Sequence, residues 1–314
     1  MIKLHSQKEW TARIAHLKKN NFISSASKKD LIDALANKIE ETIVRLAKQA
    51  QKKGDLAVLF SGGVDSTLIA FVLQKNAIPF KAITVGFYDI NQRVPEDIES
   101  SREIAKHLAF DWQEQLYNFN EVESLLVDTI YCMGDDLANA VNVGVGSVEI
   151  AGITALQKTH PCSTQFFSGL GSEELFAGYQ RHKEASNKHD ECWRGLDFMF
   201  TRDLLRDKAI EKAYNVSFIV PFLDEEVVTL AMSIPDSYKI TDKGMKMILR
   251  EAAVKIGLPK EFSFRKKRAA QYGARTDQAL FKIAKRNGFS YKKDYIAQVL
   301  KNKPCLKNKE ANMD

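Results

Sequence analysis

The chain carries, from residue 56 to residue 66, the stretch Leu56-Ala57-Val58-Leu59-Phe60-Ser61-Gly62-Gly63-Val64-Asp65-Ser66. Its apolar start predicts a buried strand, and the apolar period after the glycines predicts a helix. A strand, a glycine turn and a helix N-terminus direct several backbone N–H groups at one point, beside the positive end of the helix dipole. Ser61 and Ser66 add hydroxyl donors, and the Asp65 carboxylate can hold Mg²⁺. The stretch therefore predicts a phosphate-binding loop rather than an ordinary βα turn.

The type of phosphate loop follows from what this stretch lacks. It has neither the lysine nor the longer glycine spacing of the nucleoside-triphosphatase loop. It also lacks the third glycine of the dinucleotide fingerprint. The pattern Ser-Gly-Gly-Val-Asp-Ser resembles the pyrophosphate loop (PP-loop) of the ATP pyrophosphatases, which cleave ATP between the α- and β-phosphates. That superfamily includes asparagine, β-lactam, argininosuccinate and GMP synthetases and several tRNA-modifying enzymes, and the loop alone does not separate them.

Length and composition set the broad class. A chain of 314 residues with 45% hydrophobic content can bury one large or two small cores. No uninterrupted apolar run approaches the ~20 residues that span a bilayer, and the first residues do not read as a signal peptide, so we expect no membrane partner. The cysteines form no Cys-x-x-Cys pair, which favours a reduced, cytoplasmic setting. They are Cys132, Cys162, Cys192 and Cys305.

The net charge of +6 is unevenly distributed. From Glu251 to Asp314 there are 16 Lys and Arg residues against 6 Asp and Glu, so the first 250 residues carry a net charge of −4. Such a basic end can contact nucleic acid or can simply be solvated. The scattered lysines between Lys301 and Lys309 favour a loose, solvated tail, and nucleic acid remains the less favoured partner.

Strand and helix signals alternate in the first half of the chain. Apolar runs predict strands at 56–60, 82–87 and 166–168, with helices between them. Beyond Tyr179 the strand signal largely disappears and helical periods remain. This order predicts an α/β fold with a doubly wound parallel sheet, whose ligands lie at the carboxyl ends of the strands, followed by a C-terminal helical half. The predicted units are an N-terminal extension (1–26), the nucleotide-binding α/β domain (27–180), a helical part (181–287) and a basic tail (288–314).

A second stretch repeats the design of the first loop. It reads Ser168-Gly169-Leu170-Gly171-Ser172-Glu173-Glu174-Leu175-Phe176-Ala177-Gly178-Tyr179. A predicted strand ends before the small residues, which let the backbone approach a ligand closely. Carboxylates then stand at the start of the next predicted helix. Because both loops are predicted at the same edge of one sheet, they can share one ligand.

Together these motifs resemble the synthetase domain of asparagine synthetase, whose second loop reads Ser-Gly-x-Gly-x-Asp-Glu-x-Phe-x-Gly-Tyr. Three further segments agree with that domain in the same order along the chain: Val220-Pro221-Phe222-Leu223-Asp224, Met247-Ile248-Leu249-Arg250-Glu251 and the basic stretch around Lys267. The greatest likeness is to short asparagine-synthetase-domain proteins, which share Lys-Arg-Ala-x-Gln-aromatic-Gly. The resemblance covers roughly residues 27 to 285, with the motifs in the same order as in that family.

The resemblance implies a role for each matched residue. The pyrophosphate cradle is formed by Ser61, Gly62, Gly63, Asp65 and Ser66. Mg²⁺ is held by Asp65 and by Glu173, which stands where the family has Asp. The adenosine pocket is lined, largely by backbone groups, by Leu59, Val85, Ser168 and Gly169. Lys267 is the catalytic residue, because expelling AMP from a tetrahedral intermediate builds negative charge that a fixed ammonium can offset.

Three departures from the family pattern concern the amine-accepting half of the site. Leu170 stands where the family has Glu or Tyr, either of which is assigned to deprotonating the attacking amine. The segment before Val220 reads Ser217-Phe218-Ile219 instead of Glu-x-Arg. Ile2 follows Met1 where a glutaminase domain would place its catalytic cysteine. Free ammonia, another amine or a separate glutaminase subunit is therefore expected in place of glutamine hydrolysis by the chain itself.

The leading hypothesis is an ATP-dependent, AMP-forming ligase of asparagine synthetase type, with ATP and Mg²⁺ as cofactors. It would adenylate a small carboxylate and transfer the acyl group to ammonia or another amine. One alternative is a tRNA-modifying PP-loop enzyme, although the cysteine pairs expected for sulfur transfer are missing. The other is a non-catalytic ATP-binding or scaffold protein, which Leu170 permits. His182 is expected to be structural, and Arg206 and Asp207 are expected to form an ion pair.

Overall fold

A computed structural model describes residues 6–88, 94–265 and 273–302. In these ranges the chain forms one five-stranded sheet in the order β3-β2-β1-β4-β5, with every neighbouring pair parallel. The strands are β1 (Asp55–Leu59), β2 (Lys81–Phe87), β3 (Trp112–Tyr117), β4 (Ser163–Phe167) and β5 (Ser217–Ile219). The predicted doubly wound parallel sheet is confirmed.

The helices of the described ranges connect and cover these strands. In the first half they are α1 (Gln7–Lys19), α2 (Lys28–Ala50), α3 (Val64–Lys75), α4 (Glu96–Leu108), α5 (Phe119–Leu137), α6 (Ala140–Thr159) and α7 (Ser172–Leu175). In the second half they are α8 (Gln180–Glu184), α9 (Lys188–Met199), α10 (Leu205–Tyr214), α11 (Glu225–Ser233), α12 (Asp236–Lys239), α13 (Met247–Ile256), α14 (Lys260–Ser263), α15 (Thr276–Arg286) and α16 (Lys292–Lys301). A π-helical turn (Phe200–Leu204) joins α9 to α10, and a 3₁₀ turn (Pro221–Leu223) follows β5.

Each face of the sheet carries its own hydrophobic core. Successive side chains of a strand point to opposite faces, so alternate residues of β1 join different cores. Leu56 and Val58 belong to the core built with α1, α2, α3, α9 and α13. Ala57 belongs to the core built with α5, α6, α10, α15 and α16, and Leu59 packs against it. The fold is therefore three-layered, with helices on both sides of the sheet.

The strand order determines where the two sequence loops meet. β1 pairs with β2 on one side and with β4 on the other, so the order of strands reverses beside β1. In open α/β sheets a ligand binds in the crevice that this reversal leaves at the carboxyl ends of the strands. The first loop follows β1 and the second follows β4. The two loops are therefore neighbours, as the sequence predicted.

Two strands were not expected from the sequence. β3 pairs with β2 at one edge of the sheet, and most of its side chains are only half-buried. The sequence did not indicate β3 because its residues are mostly polar. A strand at the edge of a sheet can be polar, since it is not buried on both sides and does not require a continuous apolar run. β5 has three residues and lies at the other edge, in the part of the chain where the strand signal had faded.

Both ends of the described chain add to the cores. α1 begins with a capping box at Ser6 and buries Trp10, whose Nε1 donates a hydrogen bond to the Leu196 carbonyl at 2.7 Å. α16, inside the segment predicted to be a loose basic tail, buries Tyr295, Ile296 and Val299. Its lysines occupy the exposed side of an amphipathic helix. The remainder of that tail, 303–314, lies outside the described residues, and the predicted domain boundaries stay predictions.

α6 is the most apolar helix of the described residues and passes between the sheet and α10. It is long and apolar enough by length and composition to cross a membrane, yet 67% of its most apolar window is buried inside the fold. This degree of burial is typical of the core helix of a folded domain.

We expect Trp10→Ala to lower the free energy of unfolding by about 3–5 kcal/mol, because the substitution empties a buried site and removes the hydrogen bond to Leu196. Urea denaturation followed by circular dichroism measures this change. Phe22→Ala is the matched control, since Phe22 is 78% exposed and its removal should change stability by less than about 0.5 kcal/mol. Equal stability of the two variants would show that α1 is not part of the core.

Candidate active site

One large cavity opens at the carboxyl ends of β1 and β4. Its volume is about 770 Å³, within the range of sites that hold a nucleotide or a ligand of similar size. Its walls come from the two loops, from α6, from α10 and the π-helical turn before it, and from the start of α13. Of the predicted site residues, those that line it are Leu59, Ser61, Gly63, Asp65, Ser66, Val85, Ser168, Gly169 and Glu173.

The first loop turns into α3 through backbone that glycine favours. Gly62 has a φ of +66°, and a side chain there would press within 3.3 Å of the Ser101 backbone nitrogen. Gly63 then caps α3, and no side chain of the described residues caps that helix end. The first-turn N–H groups of α3 are thus available to an anion. Gly62 itself is not part of the cavity wall that the described residues form. Its carbonyl accepts a hydrogen bond from Arg265 at 2.8 Å.

The second loop packs directly onto the first. A Cβ at Gly169 would lie 2.7 Å from the Cβ of Asp65, a distance that real side chains do not adopt. The absence of a side chain at Gly169 therefore allows the two loops to pack this closely. Ser168 accepts a hydrogen bond from the Leu170 N–H at 3.3 Å, which fixes the turn into α7.

An apolar wall lies on the predicted adenosine side of the cavity. Leu59 and Val85 line it at the ends of β1 and β2, and Gly152 of α6 lines it between them. A Cβ at Gly152 would lie 2.8 Å from Leu59 Cδ2, so α6 approaches the strands closely at this point. Leu59 and Val85 are two of the residues that the resemblance assigned to the adenosine pocket, and that assignment stays a prediction.

Lys246 connects the two loops and was not identified from the sequence. Its ammonium donates to both carboxylate oxygens of Asp65, at 3.0 and 2.9 Å, and to Ser172 Oγ at 3.1 Å. It also pairs with Glu173 Oε1 at 2.7 Å. Lys246 immediately precedes the Met247–Glu251 motif. Its position next to that motif was the one feature of the sequence that could have pointed to Lys246.

Charge pairing keeps Lys246 ionised although it is almost fully buried. Burial opposes the charge, but the neighbouring carboxylates Asp65 and Glu173 outweigh it and raise the pKa of Lys246. The predicted metal ligands Asp65 and Glu173 therefore converge on one cation position. Among the described residues no cluster of three or more His, Cys, Asp or Glu side chains could hold a metal ion. Two carboxylates suit Mg²⁺ only if phosphate oxygens and water complete its octahedral shell, as is usual for nucleotide-bound magnesium.

Two arginines extend the cationic side of the cavity toward the basic stretch. Arg250 donates through Nε to the Met245 carbonyl at 3.1 Å and through NH1 to the Arg265 carbonyl at 3.1 Å. Arg265 in turn donates to Gly62 in the first loop. Burial lowers the pKa of both guanidinium groups, and the nearby carboxylates offset this effect only in part. Lys267, the predicted catalytic residue, lies outside the described residues.

The opposite half of the cavity is lined by a different set of charges. Leu170 reaches it from the second loop, and Tyr179 and Arg202 line it nearby. Arg202 pairs with the buried Glu174 and donates to Asp203 at 2.7 Å. This half also contains Arg206, which is only 2% exposed.

Arg206 is surrounded by carboxylates. It donates to Asp207 Oδ1 through Nε at 3.0 Å and through NH2 at 2.6 Å, which confirms the predicted ion pair. It also donates to Asp203 Oδ1 and to Glu149 Oε1, each at 3.3 Å. Burial, reinforced by the charges of Asp207 and Asp203 and opposed by Arg206, raises the pKa of Glu149 far above that of an exposed glutamate. Glu149 lines the cavity. The only feature of the sequence that could have identified it as a site residue is that it is a charged residue in an apolar helix.

Other residues considered from the sequence are structural. His182 is fully buried, and its Nδ1 accepts the Tyr179 N–H at 3.1 Å. Burial, together with nearby cations, lowers its pKa to about 4, so it stays neutral. Ser217-Phe218-Ile219, the segment that replaces Glu-x-Arg, forms the edge strand β5.

The sequence matches one protein family over most of its length. The family described as asparagine synthase matches residues 38–195 and 189–295. An asparagine synthetase (glutamine-hydrolysing) of Gallus gallus is 28% identical over 267 residues, covering 82% of this chain and 45% of that protein. The Homo sapiens asparagine synthetase (glutamine-hydrolysing) is 30% identical over 229 residues, 69% of this chain and 39% of that protein. A Methanocaldococcus jannaschii protein that is provisionally named an asparagine synthetase (glutamine-hydrolysing) is 27% identical over 316 residues. That match covers 87% of this chain and 55% of the Methanocaldococcus protein. The chain thus spans about half the length of these relatives.

Solved structures add a remote likeness. The NMN synthetase from Francisella tularensis aligns with a TM-score of 0.33 and 14% identity, covering 81% of this chain and 93% of that chain. A likeness at this level supports no assignment of residues.

We expect Asp65→Asn to lower the free energy of unfolding by about 1–3 kcal/mol, because it removes one of the two carboxylates that neutralise the buried Lys246. Asp55→Asn is the control, since Asp55 is exposed at the start of β1, the strand that precedes the first loop. Thermal unfolding of both variants measures the difference, and identical midpoints would show that Lys246 does not need the Asp65 charge.

Proposed function

Because the chain belongs to the asparagine synthase family, we propose that it is an ATP-dependent, AMP-forming carboxylate–amine ligase. A carboxylate attacks the α-phosphate of ATP, which gives an acyl-adenylate and pyrophosphate. An amine then attacks the acyl carbon, and AMP leaves. The observation that carries the proposal is the convergence of Asp65, Glu173 and Lys246 beside the uncapped N-terminus of α3.

The first half-reaction uses the nucleotide half of the cavity. The N–H groups of the α3 first turn and the hydroxyls of Ser61 and Ser66 would hold the pyrophosphate, whose charge the helix dipole favours. Asp65 and Glu173 would hold Mg²⁺, which neutralises charge on the departing pyrophosphate when it is bound. Lys246 supplies a fixed positive charge at the same point. Leu59 and Val85 would contact the adenosine.

The second half-reaction needs an amine and a stabilised negative charge. Lys267 is proposed to offset the charge that develops as AMP leaves. Ammonia or a small amine is the proposed acceptor, supplied free or by a separate glutaminase subunit. The cytoplasm is the proposed location, in keeping with the three described cysteines, Cys132, Cys162 and Cys192, all of which are free thiols.

The two alternatives receive less support from the geometry. A tRNA-modifying enzyme needs a basic surface that guides nucleic acid to the cavity. The lysines of α16 lie on that amphipathic helix, and no residue of α16 lines the cavity. A scaffold protein has no need of a large cavity at the carboxyl ends of the strands beside a helix N-terminus that no side chain of the described residues caps.

Exchange of labelled pyrophosphate into ATP tests the proposal directly, because only an adenylating enzyme reverses the first half-reaction. We expect exchange that depends on one member of a panel of small carboxylic acids and on Mg²⁺. Asp65→Asn should abolish it, since an amide is a far weaker ligand than a carboxylate for a hard cation. Exchange that requires added tRNA would support the modifying enzyme, and no exchange with any acid or with tRNA would support the scaffold.

We expect Lys267→Ala to separate the two half-reactions. Exchange should persist in part, whereas amide formation should fall by ~10²–10³, the usual effect of removing a charge-stabilising group. Lys266→Ala is the control, because the alignment of the basic stretch with the family motif matches the family lysine to Lys267 and not to Lys266. Equal loss of exchange and amide formation would instead make Lys267 a general phosphate-binding residue.

A further inference from the structure

Helix α6 presents an apolar face to the cavity beyond the adenosine wall. Between residues 141 and 150, the residues of α6 that are not buried are three valines, Val141, Val145 and Val148. Val141 is 54% exposed, and the other two are half-buried. All three line the cavity. Their spacing of four and three residues places them on one side of the helix, and we refer to them as the valine row.

The polar side chains of the same segment bond within the protein instead. Asn142 and Ser147 donate hydrogen bonds to backbone carbonyls of α5 and α6, at 2.9 and 3.0 Å. Glu149 accepts a hydrogen bond from Arg206 at 3.3 Å. A helix that borders water usually presents polar residues to it and buries its apolar ones. Helix α6 does the reverse along the cavity, which is typical of a groove that binds an apolar ligand.

Contacts with β3 show the direction of α6. Its last residue, Thr159, donates a hydrogen bond to Gln113 near the start of β3 at 3.1 Å. The Ala151 carbonyl accepts a hydrogen bond from the hydroxyl of Tyr117, the last residue of β3, at 2.9 Å. Helix α6 therefore runs opposite to the strands, and its residues before Ala151 extend beyond their carboxyl ends. The valine row lies in this extension, where the ligand of an open α/β sheet binds.

The valine row continues the adenosine wall. Gly152, four residues beyond Val148 on the same side of the helix, packs against Leu59. The rise from Gly152 to Val141 is about 16 Å along the helix axis. In an acyl-adenylate the acyl group is bonded through oxygen to the phosphorus that also carries the ribose. With adenosine against Leu59, the acyl group is the part of the intermediate that extends from the nucleotide toward the valine row.

The cations in this part of the cavity already have carboxylate partners. Three arginines of the wall each pair with at least two carboxylates in the described residues. They are Arg181, Arg202 and Arg206. The other cations on the described wall, Lys243, Lys246 and Arg250, come from the segment at the start of α13 that bonds to the first loop. An acid with a second carboxylate would have to compete with protein carboxylates for the three arginines, whereas an apolar substituent meets no such competition.

We propose that the acid substrate is a monocarboxylic acid with an apolar substituent, and this inference rests on the proposed ligase function. The substituent packs against Val148 and Val145 and extends toward Val141 at the mouth of the cavity. Leu170 lines the same cavity from the second loop and adds an apolar contact. Val145 and Val148 are thereby specificity-determining residues of the first half-reaction.

Acid-dependent exchange of labelled pyrophosphate into ATP tests the substrate class, because it requires the acid and no amine. The acids are propionate, butyrate, pentanoate and hexanoate, with succinate and aspartate for comparison. We expect the KM for the acid to fall about fourfold for each added methylene, the usual effect of burying one. Succinate and aspartate should have a kcat/KM at least about tenfold below that of butyrate, which has the same number of carbons, because their second carboxylate would be buried against valines.

Val145→Thr changes one methyl group of the valine row to a hydroxyl with little change in shape. We expect kcat/KM for hexanoate to fall about tenfold. The KM for ATP and the exchange with propionate should stay nearly constant, because neither molecule reaches Val145. A loss of exchange that is equal for every acid would show a structural effect and would overturn the contact with the substrate. Val254→Thr is the matched control, since Val254 of α13 is 38% exposed and is not part of the cavity wall formed by the described residues.

The outcomes separate this inference from the proposed function. Wild-type protein without exchange for any acid would overturn the ligase function and this inference with it. Exchange that is best with succinate or aspartate, or a KM that does not depend on chain length, would overturn the apolar substituent alone. Normal hexanoate exchange in Val145→Thr, together with a raised KM for butylamine in amide formation, would assign the valine row to the amine and overturn its contact with the acid.

Discussion

The site depends on one buried ammonium. Lys246 pairs with Asp65 from the first loop and with Glu173 from the second, and no other side chain in the described ranges bonds to both. Two half-buried carboxylates facing each other without a cation would repel each other. The ammonium therefore allows the loops to close on each other, as Gly169 does sterically. Its own backbone is left-handed, with a φ of +58°, which turns the side chain inward at the start of α13.

Charged side chains are grouped by structural element around the cavity. Beside the first loop, the N–H groups of the α3 first turn, Lys246 and Arg250 present positive charge. Elsewhere on the wall, Glu149 and Asp203 pair with Arg206, and Arg181 and Arg202 lie beside them. The grouping follows from the fold, because the loops come from the ends of β1 and β4 while the second group comes from α6 and the π-helical turn with α10.

The sequence predicted what local patterns encode. A change from strand to helix across glycines is visible in eleven residues, so both loops and their place at one sheet edge could be inferred. Edge strand β3 was missed because its polar residues face solvent and neighbouring helices. The positions of Lys246 and Glu149 in the cavity were missed for another reason. Each residue pairs with charged partners distant in the chain, and no pattern around either residue indicates that it lines a cavity.

The wall that α6 contributes to the cavity is closely packed. Val145, Val148 and Glu149 lie on it. A Cβ at Gly146 would lie 2.6 Å from Met133 of α5, and a Cβ at Gly152 would lie 2.8 Å from Leu59 of β1. Larger residues at these two positions would push α6 away from α5 and from the sheet. The shape of the cavity therefore depends on two glycines of a core helix as well as on the two loops.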